Sequence, residues 1–408
     1  MALVVRPVAS RRDLREFIEL PFRLHAGQER WVPPLRIERR LFLNPRFNAF
    51  FKDGEAQLFL ARRDGRVVGR VSAQIDHAFN RYHANSWGMF GFLEVEEDAE
   101  AVRGLLDGAS EWLRERGRDR MIGPVDFTIN DEAGVLIEGF DREPFIKQPW
   151  HPPYYQRLCE ECGLTKAMDL WMWELYIEDR SKIVPGIFEM AEKLEPEHGI
   201  RVRKMSRRRL RKELDLFGET YNEAWKDNWG FVPYTKETLD HYAQELQLVF
   251  DRHWFMVAER VDTGESVGVA ITVPDINQVL KKMNGRLLPL GWWHFLRRGR
   301  IMDRVRVGFL GVKPEYQHTG VAAAFYVEHF DMAIKRPQKW GEMGWILETN
   351  DAMNRGMEGM GGRIVKKYRV YEREVGARPA APRRVLGLPH AESVEGGLLR
   401  PESRLPPQ

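Results

Sequence analysis

The sequence is short of cysteine, of uninterrupted apolar stretches and of charge of one sign, and each shortage excludes a class of protein. Two cysteines in 408 residues cannot make a disulfide framework, which implies a reducing compartment. No stretch reaches the roughly 18 apolar residues that a membrane-spanning helix needs. The opening residues, MALVVRPVASRRDLREF, meet charge too early for a signal peptide, so a cytoplasmic protein is expected. With 63 Lys+Arg against 60 Asp+Glu the net charge is +3, which excludes a dedicated nucleic-acid binder. Cys159-x-x-Cys162 has no second pair to complete a metal site and falls in a helical pattern. Both thiols are expected in the core, and no metal is expected.

What is present is a globular composition, 43% hydrophobic and 11% aromatic. The first 178 residues alternate between strand and helix patterns. Runs at Gln57–Ala61 and Arg66–Ile75 flank an Asp64-Gly65 turn, a hairpin signal. Asp98 reads as the N-cap of a helix whose Val102, Leu105, Leu106, Ala109, Trp112 and Leu113 form one stripe, closed by Gly117. A short strand at 121–125, a long loop, a helix over 154–162 and a strand over 169–176 follow. Residues 179–199 are expected to be a linker helix and turn. From Arg201 a similar order begins again, with helices from Ser206 and over about 236–247, a hairpin at Asp262-Thr263-Gly264, and strands at 305–312, 344–348 and around 365–373. Two halves of like order indicate an internal duplication. The expected division is 1–178, a linker at 179–199, a second domain at 200–375, and a disordered tail at 376–408 rich in Pro, Gly, Ala and Arg.

The chemistry is concentrated in Leu310-Gly311-Val312-Lys313-Pro314-Glu315-Tyr316-Gln317-His318-Thr319-Gly320-Val321-Ala322. A strand ends at Val312 and a helix opens near Gly320. Gly320 and Ala322 keep side-chain bulk away, so backbone N–H groups at the helix start can approach an anion such as a pyrophosphate. An ordinary strand-to-helix turn would use the same residues. About 30 residues on, strand 344–348 leads to Asn350, Met353, Met357, Met360 and Gly361-Gly362.

With both segments in this order the chain resembles the GCN5-related N-acetyltransferase (GNAT) superfamily over residues 1 to 375. Gln317–Ala322 match its Gln/Arg-x-x-Gly-x-Gly/Ala acyl-CoA loop, and Asn350 through Gly361 match its second cofactor segment. The resemblance implies a mixed α/β fold of two tandem GNAT-like domains, each a mostly antiparallel mixed sheet flanked by helices. In the first copy Glu96-Glu97-Asp98 replaces the glycine loop, and three carboxylates there would repel a pyrophosphate. The first copy is therefore expected to be degenerate, with one acyl-CoA site in the second. The tandem layout, the Gly-Pro-x-Asp-Phe-x-x-Asn-Asp-Glu-x-Gly segment from Gly123 and a Trp-Arg-rich insertion also resemble a bacterial group that contains the ceramide synthases, which acylate a sphingoid base.

The resemblance implies that pantetheine lies between strands 307–312 and 344–348, with Leu310, Gly311, Val312, Gln317, His318, Thr319, Gly320, Val321, Ala322 and Asn350 holding acyl-CoA. A backbone N–H near Gly311 or Val312 is expected at the thioester carbonyl. The amine must react neutral. With a pKa near 10.4, about one molecule in a thousand is neutral at pH 7, roughly 4 kcal/mol of barrier, so a base or water relay is expected. Strand 306–312 carries no carboxylate, and the family's acidic tyrosine aligns with Met357. Glu348 is the expected base by position, or else a salt-bridged strand-end carboxylate. Tyr371, with Tyr368, is the expected proton donor. Asn350 reads equally as a helix cap.

Between 281 and 306 there are eight Lys/Arg and one acid, around Trp292-Trp293. This insertion is either a lid whose tryptophans pack on the core or a contact to lipid or membrane. A basic run at 201–212 reads as a solvated face. Asn228, Trp229, Trp292 and Trp293 are expected to line the acceptor site. Three functions remain open: an acyl-CoA-dependent N-acyltransferase on a hydrophobic amine such as a sphingoid base, an acetyltransferase on a small amine or protein amino group, and a non-catalytic acyl-CoA-binding scaffold. The expected partners are acyl-CoA, an amine and possible peripheral membrane, without nucleic acid.

Overall fold

The computed structural model describes residues 2–176, 181, 183–240 and 250–376. The tail expected from 376 lies outside these beyond Gly376, as do residues 179, 180 and 182 of the linker and most of the helix expected over 236–247.

Among the described residues thirteen strands form one sheet. They are β1 (Leu3–Pro7), β2 (Gly54–Arg63), β3 (Arg66–Asp76), β4 (Trp87–Val95), β5 (Arg120–Gly123), β6 (Val135–Glu138), β7 (Thr165–Tyr176), β8 (Ile200–Lys204), β9 (Phe255–Arg260), β10 (Ser266–Pro274), β11 (Arg304–Val312), β12 (Trp340–Leu347) and β13 (Arg363–Glu374). The order is β1-β2-β3-β4-β5-β13-β7-β12-β11-β10-β9-β8, with β6 paired to β13. Only β4–β5 and β11–β12 are parallel. This is the mixed, mostly antiparallel α/β architecture expected, in two consecutive copies.

The copies match in register: Gly69 of β3 faces Val95 of β4, as Gly268 of β10 faces Val312 of β11. They are joined by exchange. The last strand of the first copy, β7, pairs with β12 of the second, and β13 of the second pairs with β5 of the first. β7 and β13 also pair with each other.

Local chemistry sets the elements. Asp64 and Gly65 both have positive φ, so the hairpin turns as expected. Asp98 accepts the Ala101 N–H at 3.1 Å and caps helix Ala99–Glu115. That helix buries Val102, Leu105, Leu106, Ala109 and Leu113 against the first half's sheet. Pro185 opens helix Pro185–His198, which packs on helix Val321–Lys335. Cys159 and Cys162 are buried free thiols, and burial raises the pKa of each.

Candidate active site

Parallel strands β11 and β12 pair only from Arg304–Trp340 to Val307–Met343. Beyond that point β12 follows β7, with Ile346 opposite Trp171 and Leu347 opposite Leu170. Gly308–Val312 and Gly344–Leu347 therefore diverge and open a cleft. The ladder to β10 slips here too: Ile271 faces Phe309 and Thr272 faces Val307, which leaves Gly308 as the extra residue of a bulge. A bulged residue has backbone groups without a ladder partner.

The cleft runs into a cavity of about 370 Å³, within the roughly 300–1,000 Å³ common for small-molecule sites. Aromatic residues dominate the second-half wall, with Phe217, Tyr221, Trp225, Trp229, Phe309 and Trp345. The loop after β5 supplies the opposite wall through Ile129, Asn130 and Ala133, and the loop after β6 through Ile146 and Lys147. The first copy thus completes a site in the second. Asn228 and Trp229 are among the lining residues.

Two cations line this largely apolar space: Lys147, which pairs with Asp131 at 3.2 Å, and Arg306. Arg306 donates to the carbonyl of Gly344 at 3.2 Å and to that of Ile146, and lies 4.9 Å from the Trp345 ring centroid. It has no carboxylate partner among the described residues. Burial pushes its pKa down to about 10, against the attraction of Tyr368 and Glu342. The indole N–H of Trp345 is buried and without a hydrogen-bond partner among the described residues. In the core Lys366 is paired with Glu342 at 2.6 Å, and both are held by Gln148. Among the described residues no lining side chain is a carboxylate.

At the end of β11, residues Pro314–Thr319 form a 3-10 turn and Gly320 adopts φ +92° before helix Val321–Lys335. A β-carbon on Gly320 would come within 2.9 Å of the Met190 carbonyl, so both the backbone angle and the space demand glycine. Among the described residues no side chain caps this helix, whose first N–H groups lack partners within it. Gln317 and His318 are exposed, Thr319 donates to the Tyr316 carbonyl at 2.6 Å, Val321 is buried, and Ala322 is half-buried. Leu310 and Val312 are buried; Trp225 lies over Gly311, where an added β-carbon would meet the ring at 2.1 Å. Asn350 accepts the Met353 N–H at 3.1 Å and caps helix Asp351–Gly359.

The first copy has the same divergence after Met89–Ile122, but it is filled. Tyr155 donates to Glu94 and accepts the Val95 N–H at 2.9 Å, and Tyr154 donates to the Val95 carbonyl at 2.8 Å. In the second copy the matching strand end, Val312, accepts from Gln317 Nε2 at 3.4 Å, and helix Asp351–Gly359 contains no tyrosine. The expected repulsion by Glu96, Glu97 and Asp98 is largely neutralised. Arg23 and Arg66 hold Glu96, Arg157 holds Glu97, and Arg63 holds Asp98. The tyrosines, rather than free negative charge, close the first cleft. Behind them Glu94 is buried, which raises its pKa, yet His25 at 2.8 Å, Arg70 and His151 hold it at about 2.

Several expected site residues lie elsewhere. Glu348 takes Lys166 Nζ at 2.7 Å and the Asp169 N–H at 3.1 Å, so it is the salt-bridged strand-end carboxylate and does not line the cavity. Tyr371 is fully buried in the first copy's core, 3.3 Å from Glu160, because β13 is exchanged into that half. Tyr368 is also buried, donates to Gln148 at 3.3 Å and does not line the cavity. Trp292 and Trp293, 44% and 48% exposed, neither line the cavity nor pack on the core. Arg306, Gly308, Trp345 and Ile146 went unassigned from sequence. The Gly-Pro-x-Asp-Phe segment was the available signal for the wall loop; a bulge and a buried unpaired arginine have none.

No family model matches the chain. It is 37% identical to a bacterial ceramide synthase of Caulobacter vibrioides over 91% of this chain and 97% of that protein. It is 31% identical to protein YghO of Escherichia coli over 91% of this chain and 95% of that one. A tandem GNAT protein from the clavulanic acid biosynthesis pathway superposes with a TM-score of 0.56, at 13% identity, over 93% of this chain and all of that one. That likeness shows the fold. With an aromatic cavity at one open cleft and a second cleft closed by tyrosines, the chain is a tandem GNAT-fold acyltransferase belonging to the bacterial ceramide synthase family.

Proposed function

We propose that the chain transfers a long-chain acyl group from acyl-CoA to the amine of a long-chain amino alcohol of the sphingoid type, at the border of a membrane. The observation that carries this reading is the apolar cavity continuous with the β11–β12 cleft. The pyrophosphate of CoA would rest at the uncapped start of helix Val321–Lys335, beside Gln317–Ala322. The amine nitrogen attacks the thioester carbonyl carbon, the C–N bond forms, the C–S bond breaks, and the CoA thiolate leaves with the proton shed by nitrogen. A backbone N–H near Gly311 or Val312, at the end of β11, would face the developing oxyanion.

Arg306 shapes the acceptor's charge state. A buried cation disfavours an ammonium beside it, so the acceptor enters as the free amine. Its proton is lost to water before binding, so this step needs no carboxylate in the cavity.

Incubating the protein with palmitoyl-CoA, sphinganine and a thiol reagent tests the reading. Release of free CoA that depends on sphinganine is the expected result. Release only with acetyl-CoA and small polar amines would overturn it, and tight CoA binding without release from any amine would leave a scaffold.

A further inference from the structure

Residues 277–301 connect the end of β10 to the start of β11 as three short helices, Asn277–Met283, Gly291–Leu296 and Arg298–Ile301. The root of this insertion is fixed to the cavity wall. Asp275 accepts the Ile146 N–H at 2.9 Å, Asn277 donates to the Pro144 carbonyl at 3.0 Å, and Val273 lines the cavity. Lys281 pairs with Glu143, and the Arg36 N–H donates to the Gly285 carbonyl at 3.2 Å. A well-anchored insertion has no structural need of a greasy tip.

The tip is nevertheless greasy. Leu287, Leu288, Leu290, Trp292, Trp293 and Leu296 are all exposed within ten residues, Leu288 and Leu290 at 71% each. Exposed apolar side chains scattered singly are ordinary, but a contiguous patch marks a contact. Lys282, Arg286, Arg297 and Arg300 are exposed around it and Arg298 half-exposed, and none has a carboxylate partner among the described residues. Leucines for the acyl region, indoles for the headgroup depth and unpaired arginines for phosphates are the chemistry of an anionic leaflet. A protein partner buried on the same patch would leave those cations desolvated unless it matched them with carboxylates.

The position of the tip gives it a use. It precedes Arg304, the first residue of β11, whereas the Gln317–Ala322 corner follows Val312, the last. At about 3.3 Å per residue the strand separates the two by roughly 25–30 Å. We infer that the 286–300 tip inserts into an anionic lipid leaflet, so that the acceptor enters the cavity from the membrane at the β11 start while acyl-CoA enters from water at its end. The inference on entry rests on the acyltransferase reading above; the insertion itself does not.

The full chain is sedimented with vesicles of phosphatidylcholine alone and of phosphatidylcholine with phosphatidylglycerol. Wild type is expected to bind the anionic vesicles at least tenfold more tightly, and salt to weaken that binding. Leu288→Ser/Leu290→Ser should lose binding to both. Arg297→Gln/Arg298→Gln/Arg300→Gln should lose the anionic preference, each arginine being worth roughly fivefold near such a surface. In parallel, turnover of a long-chain amine dispersed in detergent micelles should stay within twofold of wild type in both variants. Equal binding of wild type to both vesicles, or unchanged binding by the leucine variant, overturns insertion. So does a wild-type dimer that the leucine variant dissolves, since the patch then covers a second copy. Micellar turnover that falls in step with vesicle binding makes the insertion a lid and also overturns it. Absence of micellar turnover in wild type refutes the acyltransferase reading and leaves the binding result to stand alone.

Discussion

The cavity makes a quantitative demand at Gly308. A β-carbon built there meets nothing nearer than the Ile271 carbonyl at 3.8 Å, and the residue both lines the cavity and avoids the left-handed backbone region. Gly308→Leu should therefore fold, gaining about 0.4–1 kcal/mol from a less free unfolded chain. Its four side-chain carbons would take the place of about four substrate methylenes. At about 0.8 kcal/mol each, transition-state binding falls by about 3 kcal/mol, roughly a hundredfold in kcat/KM, but only for chains long enough to reach that space. The assay is CoA release across a series of acyl-CoA and amine chain lengths. Log kcat/KM should rise with length in wild type and flatten in the variant, while short substrates keep their rate. An equal loss for short and long substrates would place the thioester itself at that space and refute the reasoning.

Glu348→Gln should leave kcat within about twofold, because its carboxylate serves Lys166 and the Asp169 amide; a loss beyond a hundredfold would restore it as the base. Tyr155→Phe strips the buried Glu94 and the Val95 N–H of a partner, so a chemical denaturation curve should show a loss of about 1–3 kcal/mol with turnover unchanged. Lys366→Met leaves Glu342 buried and unpaired, at a cost of about 3–5 kcal/mol in the same measurement. Burial holds His151 and His329 down at about 4 in the folded chain, against an ordinary value of 6.5. The unfolded chain takes up protons first, so the melting temperature should fall as pH drops from 6.5 to 4. His329→Gln should shallow that fall, and a flat profile in wild type would contradict the burial argument.

Much of the architecture was legible in sequence because local chemistry dictated it. Asp98 caps its helix, Asp64-Gly65 turns its hairpin and Gly320 sits where only glycine fits. Asn228 and Trp229 line the cavity, although a loop of aromatic and amide residues reads equally as a set of turn formers. What escaped was set by distant strands. Tyr371 looked available at the end of a second-half strand, but β13 carries it into the first half. Glu348 looked like a base until β7 brought Lys166 alongside it. The carboxylates at 96–98 looked repulsive because their arginines, from residues 23, 63, 66 and 157, are remote in the chain.

The exchange of β7 and β13 has a consequence for synthesis. Roughly 190 residues separate Tyr176 from Arg363. At about 5–20 residues per second, a nascent chain waits on the order of 10–40 s with β5 and β7 both lacking a neighbour. Unpaired strand flanks are adhesive. The front of the molecule therefore stays incomplete until its final strand emerges from the ribosome, and a stop codon before Arg363 would spoil both copies rather than the second alone.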